Sequence, residues 1–201
     1  MSLTAIALNC TLKRGDAASS TDKLIGELLA ELGRHGVTGE TVRVVDHDIK
    51  PGVTSDEGEG DEWPDLRRRI VAADILVLGT PVWLGQPSSV AKRVLERLDA
   101  FFGETDDRQR SPAYGKVAVV AVVGNEDGAH HCHAELFQAL CDVGFTLPAS
   151  AGTYWVGEAM GSTDYKDLDQ PYEKTQSATR MLAANAAHLA GLLKNAAYPG
   201  V

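Results

Sequence analysis

The chain has 201 residues, 44% apolar and 23% charged, enough to build a full core and too ordered in composition for a disordered chain. Its net charge of −9, with no basic stripe, argues against a nucleic-acid partner, whose phosphates would be repelled. No apolar run approaches the roughly 20 residues needed to span a bilayer, so no membrane insertion is expected. The sequence opens directly on a strand pattern, and Cys10, Cys132 and Cys141 lack zinc-site spacing. A reducing, cytoplasmic setting is the simplest expectation.

Leu3 to Leu8 is a short apolar run suited to a buried parallel strand. It leads into Asn9-Cys10-Thr11-Leu12-Lys13-Arg14 and Ser19-Ser20-Thr21, then a helical pattern from Lys23 to Leu32. Any of Ser19, Ser20 or Thr21 can cap that helix. A helix start offers unpaired N–H groups and the positive end of a dipole. With hydroxyls and two cations beside it, the group that fits is a phosphate.

Gly36 and Gly39 predict a turn, and Thr41 to Val45 a second strand. Residues 46–62 are polar, with five acids between Asp56 and Glu62; the spacing lacks the pattern of a calcium loop, so a solvated loop is expected. Trp63-Pro64 opens a helix to about Ala73, with proline in the first turn. Asp74 to Gly79 is a third buried strand, leaving through Thr80-Pro81-Val82-Trp83-Leu84-Gly85-Gln86-Pro87. Ser88 or Ser89 then starts a helix with Val90, Val94, Leu95 and Leu98 on one face.

Lys116 to Val123 is apolar enough for a central strand covered on both faces. It exits through Gly124-Asn125-Glu126-Asp127-Gly128-Ala129 into a helix ending near Val143. A last strand is expected near Gly144 to Ala149. A long connection over 150–170 would let Tyr154 and Trp155 wall a site or a dimer contact. A final helix, Glu173 to Lys194, has Met181, Leu182, Leu189, Leu192 and Leu193 as expected core.

Five strand–helix units predict one α/β domain over residues 1–201, a five-stranded parallel sheet with helices on both faces. In the common order 2-1-3-4-5, the exits of strands one, three and four converge on one crevice. A phosphate would sit at the first exit and a flat aromatic ligand between the other two. The first loop has one glycine, Gly15, so a G-x-G-x-x-G dinucleotide site is disfavoured, and no P-loop motif occurs. Asn9 and Cys10 stand where a signalling receiver domain would carry paired acids. His130-His131-Cys132-His133 invites a metal reading, but only His130 and His133 approach a shared helical face. A solvated helix start is expected, with proton transfer by His130 or His131 as a subtler role. Cys10 is expected as a small packed residue.

Together these loops resemble those of the flavodoxin-like NAD(P)H-dependent FMN reductases, and the chain is similar to quinone-reducing flavoproteins and flavodoxins. The first loop resembles that family's phosphate loop. Thr80 to Gly85 with Pro87 and Lys92 resembles its Pro-x-Tyr-x-Gly segment, with Trp83 in place of tyrosine. Gly124 to Gly128 resembles its glycine-rich loop. The resemblance implies a flavodoxin-like three-layer sandwich. It implies that Thr11, Lys13, Ser20 and Thr21 hold the FMN phosphate, that Pro81, Val82, Trp83, Leu84 and Gly85 run along the ring, and that Asn125, Glu126, Asp127 and Gly128 meet its polar edge. It further implies NADH or NADPH as co-substrate, a quinone or similar small-molecule electron acceptor, no obligatory acid–base residue, and a homodimer or homotetramer. The alternative is a flavodoxin-type electron carrier, docking its acidic surface on a redox partner protein.

Overall fold

The computed structural model describes residues 2–170 and 172–201. Its sheet contains β1 (Leu3–Asn9), β2 (Val37–Arg43), β3 (Ile75–Trp83), β5 (Val117–Gly124) and β6 (Gly152–Val156), all parallel, in the order β2-β1-β3-β5-β6. The two-residue strand β4 (Gln86–Pro87) only folds back antiparallel on the end of β3. Without it the order is 2-1-3-4-5, the flavodoxin-like order, with the switch point between β1 and β3.

Helices cover both faces. Residues of α1 (Ser20–Arg34) and α5 (Glu173–Asn195) pack on one side of the sheet. Those of α2 (Trp63–Ala72), α3 (Ser89–Leu98) and α4 (Ala129–Asp142) pack on the other. Alternation along β5 feeds both cores: Val117, Val119, Ala121 and Val123 face α1 and α5, while Ala118, Val120 and Val122 face the opposite layer. Each buried valine contributes roughly 1.5–3 kcal/mol of transfer free energy, so this strand anchors the domain.

Four expectations are corrected. The second strand begins earlier, at Val37, and Gly39 lies within it instead of in a turn. A Cβ on Gly39 would come 2.6 Å from Leu29, so glycine is what lets α1 lie close against this edge. The last strand lies later than 144–149, of which only Thr146 bridges to Val117. Gly144 turns there at φ +108°, and Pro148 has no N–H for a ladder. Trp155 is therefore a strand residue, buried against Tyr165 with ring centroids 5.4 Å apart, and does not line the cavity described below. On α5, Met181 and Leu192 are exposed while Leu182 and Leu193 are buried. Met181, His188 and Leu192 follow an i, i+7, i+11 stripe, which faces away from the sheet.

The acidic segment is not merely solvated. Asp61 and Arg97 form an ion pair at 2.8 Å with both side chains fully buried, and the Arg97 guanidinium lies over the Trp63 ring. Burial alone would raise the Asp61 carboxyl. Arg97 and the N–H groups of Glu57, Trp63 and Lys50 outweigh it and hold the pKa at about 2.

Candidate functional site

The first loop is built around side chains that replace missing backbone partners. Asn9 accepts a hydrogen bond from the Thr11 N–H at 3.1 Å and donates to Asp22 at 3.0 Å. Ser19 caps α1, its Oγ accepting from the Asp22 N–H. The first-turn N–H groups of Ser20 and Thr21 have no intrahelical acceptor and open toward the loop. Arg43, at the end of β2, donates to the carbonyls of Lys13 and Ala17 at 3.2 and 2.9 Å. The Lys13 ammonium donates to the Ala18 carbonyl at 3.1 Å and so helps close its own loop. Beneath the loop, a Cβ on Gly79 would lie 2.5 Å from Ile25 and 3.2 Å from Thr21. Glycine there lets the start of α1 come down onto the end of β3.

The second exit is a tight hairpin. Leu84 and Gly85 have φ of +52° and +74°, the sign pattern of a two-residue type I′ turn, and Trp83 pairs with Gln86 across it. A leucine in this conformation is strained. Its N–H is held by Glu126 Oε1 at 2.8 Å, from the third loop. That loop also touches the hairpin through backbone alone: a Cβ on Gly128, whose φ is +132°, would sit 2.6 Å from Gly85 Cα. Asn125 holds the segment after β6, donating to Asp164 at 3.0 Å and accepting at its carbonyl from the Met160 N–H.

The three exits and this last segment enclose a cavity of about 410 Å³. Of the residues expected at the site, Thr11, Lys13, Ser20, Thr21, Pro81, Val82, Trp83, Leu84, Asn125 and Glu126 line it. Gly85, Asp127 and Gly128 are not among the lining residues; the two glycines join the hairpin to the third loop, and Asp127 is exposed. Leu12, Ser19, Val123, Gly124, Met160 and Asp164 line it as well. Ser19 was legible as a cap. Met160 and Asp164 carry no signal in the sequence, because no motif or periodicity marks the segment that holds them. Trp83, Leu84 and Met160 are exposed at 55%, 91% and 94%, so the rim is apolar.

Cys10 is fully buried in the core, and burial pushes its thiol well up, so it is a packing residue. His130 contacts the Tyr154 hydroxyl at 3.2 Å, and His131 contacts Gln86 and Glu135. Neither lines the cavity. Among the described residues no group of three or more His, Cys, Asp or Glu side chains could hold a metal ion.

The donor set suits a phosphate-tailed planar ligand. One end offers hydroxyls, helix N–H groups and an ammonium, and the remainder offers Pro81, Val82, Trp83, Leu84 and Val123 as apolar walls.

Residues 3–161, from β1 through Gly161, match the family model described as NADPH-dependent FMN reductase. The chain belongs to this family. It is thereby placed among FMN-binding oxidoreductases of flavodoxin-like fold. It is 36% identical over 208 residues to the 8-demethyl-8-aminoriboflavin-5'-phosphate synthase of Streptomyces davaonensis, covering 98% of this chain and 81% of that protein. A crystal structure of RosB with the bound intermediate 8-demethyl-8-formylriboflavin-5'-phosphate superposes with a TM-score of 0.89 at 35% identity, covering 98% of this chain and 82% of that one. It is also 39% identical over 199 residues to a Mycobacterium bovis protein described as the divalent metal cation transporter MntH. That match takes in 96% of this chain but spans only 29% of the transporter. No helix among the described residues is long and apolar enough to cross a membrane.

Proposed function

We propose that the cavity binds FMN and that the protein transfers electrons from NADH or NADPH through it to a quinone or similar small acceptor. One observation carries this reading: a hydroxyl-lined helix start and two neighbouring loops meet around one apolar cavity. In this reading Thr11, Ser20, Thr21 and Lys13 hold the phosphate, and Asn9 and Arg43 keep that loop in shape. Pro81 to Leu84 lie along the ring, and Asn125 and Glu126 meet its edge, with Gly85, Asp127 and Gly128 keeping hairpin and third loop together. When bound, the flavin supplies the two-electron chemistry, while the protein orients it and leaves the rim open to a second molecule. The test is NAD(P)H oxidation by purified, FMN-loaded protein with an added quinone. Turnover that needs both FMN and quinone supports the reading; a flavin that NAD(P)H does not bleach sinks it.

A second reading is favoured by the likeness to the aminoriboflavin-phosphate synthase and to RosB over almost the whole chain. In it the flavin phosphate is the substrate, altered on its ring. Chromatography and mass spectrometry of the flavin recovered after incubation separate the two. Unchanged FMN after many turnovers marks a cofactor, and a new flavin mass marks a substrate.

A further inference from the structure

We propose that Glu126 biases the redox balance of the site, so that oxidised FMN is held more tightly than its two-electron-reduced anion. This rests on the reading of the cavity as an FMN site. Glu126 lines the cavity, and its Oε1 is fixed by the Leu84 N–H at 2.8 Å. No cation pairs with it among the described residues, whereas the other lining carboxylate, Asp164, has the Lys166 ammonium at 3.2 Å. The cavity's own cation, Lys13, lies on the first loop and is engaged with the Ala18 carbonyl. The hairpin and third-loop part of the cavity therefore carries one uncompensated negative charge beside apolar walls.

Reduction of FMN takes up two electrons and one proton and leaves one further negative charge on the ring. A carboxylate nearby disfavours that product by Coulomb repulsion. Glu126 acts a second time through the Leu84 N–H. That donor sits at the turn of the hairpin, where it could otherwise meet a developing negative charge, and Glu126 occupies it. Both effects have the same sign.

The experiment compares wild-type protein with Glu126→Gln, which removes the charge and keeps an oxygen able to accept from Leu84. Oxidised FMN affinity is read by flavin fluorescence. The potential of the bound flavin is read by dithionite titration against a reference dye. Glu126→Gln is expected to favour reduced over oxidised FMN by about tenfold, an upward shift of about 30 mV for a two-electron couple. Glu126→Ala, which also frees the Leu84 N–H, is expected to shift the ratio at least as far. Asp142→Asn, which removes an exposed charge at the end of α4, controls for net charge and is expected to shift it less than twofold. Wild-type protein that binds no FMN overturns the underlying reading. Binding with a Glu126→Gln shift no larger than that of Asp142→Asn overturns this inference alone.

Discussion

The Ser88 hydroxyl donates a 2.6 Å hydrogen bond to the Cys10 carbonyl and accepts one from the Ala91 N–H at 3.1 Å. One buried side chain thus ties the first loop to the start of α3 while capping that helix. Its own N–H donates to Thr80 Oγ1 at 3.0 Å, which adds the end of β3 to the same knot. Ser88→Ala leaves a buried carbonyl and a helix N–H without partners. The expected loss is about 1–3 kcal/mol of stability, read as a lower urea midpoint with an unchanged slope.

At Gly128 the backbone of the third loop comes against that of the hairpin. Gly128→Ala adds a methyl group 2.6 Å from Gly85 Cα at a backbone angle only glycine adopts readily. The two loops must part. FMN affinity should drop by at least tenfold in a fluorescence titration while the far-ultraviolet circular dichroism stays that of the wild type.

His133 supplies a pH dependence. It is buried against Phe137 and Tyr154, and burial, with a smaller contribution from the charge of His130, pulls its pKa down to about 4; a Thr153 backbone hydrogen bond opposes this in part. The unfolded chain takes up that proton near pH 6.5 and the folded one only near pH 4. Stability is therefore full above about pH 6.5 and falls as pH drops through the window from 6.5 to 4, by up to about 3 kcal/mol. Urea denaturation of His133→Phe across that range should show a flatter profile than the wild type.

Lys13 and Thr21 test the phosphate end. Lys13→Ala removes the one cation lining the cavity among the described residues, and Thr21→Ala removes a hydroxyl at the first turn of α1. Each should weaken FMN binding by roughly five- to fiftyfold, the scale of a charge-assisted hydrogen bond, and the Lys13→Ala loss should shrink at high salt. Neither change should alter riboflavin affinity, which has no phosphate to lose.

What could be read in advance followed from local signals. The unbroken apolar run at Val117–Val123 forces a strand buried on both faces, and alternating strand and helix patterns then fix a parallel sheet. Ser19-Ser20-Thr21 announces a helix start wherever it folds, and Gly85 and Pro87 punctuate a turn. What stayed hidden depends on contacts distant in sequence. Nothing local marks Met160 and Asp164 as cavity residues, because Asn125 brings them there. Arg43 braces the first loop across about 30 residues of chain. Asp61, in the loop before α2, has the sequence signature of one more surface acid, because its partner Arg97 lies on α3. Gly39 read as a turn because glycine's other use, admitting a close neighbour, requires knowing where α1 lies.

The claim that this cavity is shaped for a phosphate-tailed flavin is tested most directly by titrating flavin-free protein with FMN and with riboflavin, following quenching of flavin fluorescence. The account predicts saturable binding of both rings, with FMN at least tenfold tighter than riboflavin. Equal affinities would place the phosphate away from the start of α1, and no quenching by either would contradict the account outright.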